Sequence, residues 1–126
     1  MWQTGRRDAG FTLAELVIVV LIVGLLAALA VPNVSGAIMR AKETALLENL
    51  RVMRGAIDDY HADKAAYPET LSVLVDQRYI SAIPDDPVAG EDTPWLLVFD
   101  LEAGGVRDIK SAADGVGSNG IAYREW

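Results

Sequence analysis

The stretch "RRDAGFTLAELVIVVLIVGLLAALAVPN", residues 6–33, decides how this chain folds. Residues 16–31 within it carry no charged or hydrogen-bonding side chain. As a helix, residues 11–31 would extend about 32 Å, close to the roughly 30 Å thickness of a bilayer's hydrocarbon core. Glu15 lies inside that segment, four residues after Phe11. A carboxylate costs about 2.5–3.5 kcal/mol at mid-span and somewhat less near an end, so an acid here asks for a partner.

Three readings compete. A secretory signal peptide would use Arg6 and Arg7 as its basic region and Ala28, Leu29 and Ala30 as a small-residue cleavage site. The apolar run exceeds the usual ~7–15 residues of such signals, and Glu15 has no place in one. A plain signal anchor accounts for the length and leaves the carboxylate unexplained. In the third reading, a cut between Gly10 and Phe11 creates an ammonium four residues before Glu15. Pairing of the two, within one chain or between neighbouring helices, spares both from being bare charges in lipid.

The third reading meets a resemblance. "GFTLAE" (residues 10–15), an apolar run and then "VPN" (residues 31–33) are similar to the class III signal of type IV pilins and type II secretion pseudopilins. The resemblance implies cleavage after Gly10 by a prepilin peptidase, methylation of the new N-terminal Phe11, and roles in assembly for Glu15 and Pro32. Asp8, in a leader where bases are usual, and Ala14, where a larger apolar residue is common, depart from the pattern. Arg40 and Lys42 follow the span as Arg6 and Arg7 precede it, so charge alone does not orient it. A cytoplasmic N-terminus is what the resemblance implies.

Beyond the span, Pro32 between Gly24 and Gly36 is expected to kink or loosen a helix. Leu46, Leu50, Met53, Ile57 and Tyr60 then recur at spacings of 4, 3, 4 and 3, one face of an amphipathic helix. Glu43, Glu48, Arg51, Asp58 and Asp59 are assigned to the opposite side. One helix from residue 11 to about residue 63, on the order of 80 Å long, is expected. The bases Arg40, Lys42, Arg51 and Arg54 read as a solvated face, or else as groups that meet acidic residues of adjacent subunits.

Downstream, Tyr67 before Pro68 should leave the helical region, and Leu71, Leu74 and Val75 give a short apolar helical face. Pro84, Pro87 and Gly90 break the chain again. "PWLLVFD" (residues 94–100) and "GVRDIKS" (residues 105–111) are strand-like around a turn at Ala103 and Gly104, so a hairpin across the long helix is expected. The fold class is therefore α+β: a long N-terminal helix, transmembrane in its first half and amphipathic in its second, packed on a small antiparallel sheet, as in pilins. The division is leader 1–10, membrane and filament-core helix 11–32, and periplasmic globular part 33–126. "YPETL", "IPDDPVAG" and the tail "DIKSAADGVGSNGIAYREW" resemble compact major pseudopilins, which extends the resemblance over most of the chain.

Composition narrows the functions. After Gly55 the chain holds 14 acidic and 5 basic residues. Nucleic acid phosphates would be repelled by such a surface, so no nucleic acid partner is expected. No cysteine is present, which removes thiol catalysis, thiolate metal sites and disulfides. His61 is the only histidine and reads as solvated. Asp85 and Asp86 in a Pro-flanked loop suit turn capping better than acid–base work. An enzyme is not expected.

The tail places Asp108, Ser111, Asp114, Ser118 and Asn119 within twelve residues, among Gly115, Gly117 and Gly120. Hard oxygen donors on a Gly-rich loop suit calcium, which takes ~6–8 oxygens. Larger major pseudopilins bind calcium in a comparable loop; here the loop is short and does not fit an EF-hand, and Asp108, Asp114 and Asn119 are the candidate ligands. Side chains that merely close turns are the competing reading. The resemblance further implies self-assembly into a periplasmic pseudopilus for protein export. Its partners would be minor pseudopilins, the prepilin peptidase, the assembly platform with its ATPase, and inner-membrane lipid. A type IV pilin of a surface filament, or a membrane-anchored calcium-binding module that never polymerises, are the alternatives.

Overall fold

The computed structural model describes residues 10–126; Arg6, Arg7 and Asp8 of the expected leader, and the side chain of Pro32, lie outside the described residues. Helix α1 runs Leu13–Lys64, 52 residues. Its bounds fall within two residues of those the periodicity indicates. The helix does not end at the proline: helical backbone continues through position 32. An interior proline removes one amide donor and crowds the carbonyl four residues earlier, which loosens a helix without having to end it; at the next position the Asn33 side-chain amide donates to the Leu29 carbonyl at 3.4 Å.

The chain divides into two compact units, Met1–Ile38 and Met39–Trp126. In the first, every described side chain from residue 11 to residue 35 is exposed. Helix α1 is long and apolar enough there to cross a membrane.

The second unit has its own core. Leu46, Leu50, Met53 and Ile57 of α1 are almost wholly buried, as the 4-3-4 spacing requires of a core-facing stripe. Against them pack Leu71 and Leu74 of α2 (Leu71–Asp76), together with Trp95, Val106, Ile109, Ala113 and Tyr123. Strands β1 (Leu96–Phe99) and β2 (Val106–Lys110) pair antiparallel. Leu97 faces Ile109 and Val98 faces Asp108 across the ladder, and an irregularity follows before Phe99 meets Val106. Asp100 closes the hairpin, its Oδ1 accepting from the amides of Glu102 at 2.9 Å and Ala103 at 2.7 Å. Gly105 must be glycine: its φ is +83°, and a Cβ there would lie 2.7 Å from the Tyr67 carbonyl oxygen.

Two assignments need correction. Glu43, expected on the solvated side, is only 5% exposed. Position 43 lies three residues before Leu46 and seven before Leu50, so it continues the buried stripe rather than opposing it. Arg54, expected on a solvated face, is part-buried and hydrogen-bonded to the tail.

Candidate functional site

The N-terminal site is built around a helix start. Gly10 has φ +94°, a conformation that side-chain-bearing residues rarely adopt, and a Cβ would meet nothing within 4 Å. Phe11 after it is 79% exposed. Thr12 stands immediately before α1, and its Oγ1 accepts from the Glu15 amide at 3.2 Å. Thr12-x-x-Glu15 is thus half of a capping box, with an acid in the first turn where the helix dipole favours it. The T-x-x-E spacing before an apolar run was the signal that sequence reasoning missed. Gly10, Phe11 and Glu15 lie within six positions at this helix start, and Pro32 stands well inside α1.

The tail is organised around two side chains of α1. The Glu43 carboxylate accepts from the Ser118 amide at 3.0 Å, the Ser118 hydroxyl at 2.5 Å and the Tyr123 hydroxyl at 2.7 Å. The Ser118 hydroxyl, and next the Tyr123 hydroxyl, hold this carboxyl below the usual glutamate range although its burial acts the other way. The same bond, given by Tyr123 to a carboxylate, pushes the phenol above its ordinary value. Arg54 donates from Nε to Asp108 Oδ1 at 2.8 Å, and from one terminal nitrogen to main-chain oxygens of Ile109 at 2.8 Å and Trp126 at 2.7 Å.

The oxygen donors proposed from sequence for calcium are each engaged elsewhere. Asp108 pairs with Arg54 and accepts from the Ile109 amide. Asp114 pairs with Arg124 at 3.0 Å. Asn119 accepts from the Ile121 amide at 3.0 Å. Ser118 serves Glu43, and Ser111 donates to the buried Asp86 at 2.5 Å. Asp86 also accepts from the amides of Val88 and Ala89, the turn-capping role expected of it. Among the described residues, no three acidic or histidine side chains gather to hold a metal. This donor set does not fit calcium.

A groove of about 530 Å³ lies elsewhere on the globule, lined by Trp95, Leu71 and Leu97 together with Asp85, Glu91 and Asp92. The Trp95 indole N–H is tied to the Pro84 carbonyl at 2.8 Å. His61 is exposed and stacks on Tyr67, with ring centres 4.2 Å apart.

An apolar helix behind a glycine–phenylalanine junction, followed by a small α+β globule, defines a pilin-like chain. Residues 5–31 match the family model described as the prokaryotic N-terminal methylation motif. The type II secretion system core protein G of Aeromonas hydrophila is 35% identical, over 96% of this chain and 94% of that one. Its counterpart in Klebsiella pneumoniae is 30% identical, over 96% of both chains. That of Escherichia coli K12 is 30% identical over 86% of this chain and 84% of its own. The chain belongs to the type II secretion system core protein G family. No solved structure matches it.

Proposed function

We propose that this chain is the precursor of a structural pseudopilin, cut after Gly10, methylated at Phe11 and polymerised into the periplasmic pseudopilus of a type II secretion-like system. The observation that carries this reading is the methylation motif at residues 5–31, joined to a helix whose apolar first part is exposed and long enough to cross a membrane. Relatives named core protein G along nearly the whole chain support the same reading. The chain acts by packing rather than catalysis. Apolar helices bundle in the filament core, and Glu15 pairs with the amine that cleavage creates at Phe11, which favours docking in one axial register.

In this reading residues 1–10 are the leader, residues 11–32 the membrane and filament-core helix, and residues 33–126 the periplasmic part. The chain crosses the inner membrane once with its N-terminus in the cytoplasm. Its partners are other copies of itself, minor pseudopilins, the prepilin peptidase, the assembly platform with its ATPase, and membrane lipid. The deciding measurement is the N-terminal residue and intact mass of the protein taken from its own membranes. A methylated Phe11 is expected. An N-terminus at Val31 would mean a released secretory protein, and an uncut Met1 a simple anchor; either would overturn the proposal.

A further inference from the structure

Calcium-binding tails use hard oxygens gathered around a cation. Here such a set exists, but a side chain already holds it. One carboxylate oxygen of Asp108 and main-chain oxygens of Ile109 and Trp126 all lie 2.7–2.8 Å from nitrogens of Arg54. A guanidinium carries its positive charge permanently and offers donors in a planar fork, so it satisfies several oxygens from one position.

Eleven residues earlier on α1, Glu43 does the complementary task, holding the Ser118 amide and hydroxyl and the Tyr123 hydroxyl. That separation is three helical turns, about 16 Å, which leaves the two residues on nearly the same face. Between these anchors the loop closes on itself: a Cβ on Gly117 would clash with the Trp126 ring. Trp126 in turn packs on Tyr123, with ring centres 5.2 Å apart.

We propose that the tail of this chain is closed by protein alone, with Arg54 in the place of a bound cation and Glu43 as its anionic counterpart, so that its closure is independent of calcium. Both recorded bonds to Asp108 fall on Oδ1, from Arg54 and from the Ile109 amide, and a dication on either carboxylate oxygen would stand beside the fixed positive charge of Arg54. Asp114, on the surface, pairs with Arg124 at 3.0 Å and brings no buried oxygen to the tail. The closure concerns the globule itself and does not depend on whether the chain polymerises.

The test uses the full chain in detergent micelles, melted in millimolar calcium and in excess chelator, with calcium binding measured by equilibrium dialysis. The expected result is a Tm equal within about 1 °C in the two conditions, without saturable binding. A site filled at a hundred times its Kd would instead raise Tm by roughly 10 °C or more. Arg54→Ala should lower Tm by about 5–10 °C and open the tail to trypsin at Arg107 and Lys110. Arg54→Lys, which keeps the charge but not the fork, should recover only part of that loss. Saturable calcium binding that raises Tm and disappears in Asp108→Asn would overturn the proposal. So would an Arg54→Ala protein with unchanged Tm and an uncut tail. If that variant does not accumulate, the calcium titration of the unaltered chain decides alone.

Discussion

The two parts of helix α1 obey different rules. Up to Ser35 its described side chains are exposed all round, with Leu21 at 66% and Leu25 at 63%. From Glu43 onward the same helix has a buried stripe, with Leu46, Met53 and Ile57 at 0%. A helix apolar on every side can only be dissolved by lipid or by other helices, whereas a striped one makes a core with its own chain. Function in the first part therefore belongs to an assembly, and stability in the second belongs to the subunit.

The sharpest way to break this contrast is at Glu15. Glu15→Gln keeps the capping-box pattern with Thr12, because glutamine serves at that position as well as glutamate. It removes only the charge. We expect cleavage to continue, the melting of the globule to be unchanged, and filament yield to fall at least ~10-fold, equivalent to ~1.4 kcal/mol of docking energy. Filaments sheared and weighed against the membrane pool would show this. A normal yield would mean that the carboxylate acts as a helix-start residue, and the pairing with the Phe11 amine would fall.

In the striped part the largest effect should come from the core. Leu50→Ala removes a side chain that is 1% exposed, which costs about 2–5 kcal/mol. Leu21→Ala, the same chemical change in the exposed part, should leave the thermal transition of the globule where it was. Circular dichroism melting of the two variants side by side separates the two parts of α1. Equal losses would show that the division is false.

This contrast also explains what the sequence could reveal. The extent of α1 follows from an apolar run joined to a 4-3-4 stripe, and the hairpin follows from two strand-like runs around Ala103 and Gly104. Both signals are local. Glu43 and Arg54 were misjudged because a charged side chain beside a stripe is normally solvated. Their partners stand 75 and 54 residues later, at Ser118 and Asp108. No period records such a pairing, although the place of residue 43 on the stripe was readable. The tail donors follow the same rule: their oxygen chemistry is visible in the sequence, but the protein groups that bond to those oxygens are not. Thr12 was legible from its spacing to Glu15.

The Glu43 anchor predicts a pH dependence confined to the globule. Its folded pKa lies below the ordinary glutamate value, chiefly through the Ser118 hydroxyl. The stabilisation is therefore fully present above that ordinary value and is lost as pH falls through the lower, folded one. Tyr123 shifts the other way, so its contribution holds below the ordinary tyrosine value and disappears as pH rises through the raised one. Tm should be flattest between about pH 5 and 9 and fall on both sides. Glu43→Gln should lower that plateau and flatten both shoulders. Shoulders that persist unchanged in this variant would assign them to other groups.

The smallest effect expected lies where the striped part ends. Ala65, directly after α1, sits at φ 57°, and Arg78, just beyond α2, at φ 63°. Both positions take the left-handed turn that usually ends a helix at glycine. In that conformation a Cβ costs about 1–2 kcal/mol, while glycine gives back ~0.4–1 kcal/mol through a freer unfolded chain. Ala65→Gly should therefore stabilise by a few tenths to ~1 kcal/mol, a Tm rise of about 2–5 °C. The control is Ala28→Gly in the apolar part, where glycine costs about 1 kcal/mol of local helix propensity and should not move the globule's transition. A fall in Tm for Ala65→Gly would mean that the helix end is held by contacts of the alanine methyl, outweighing the backbone strain.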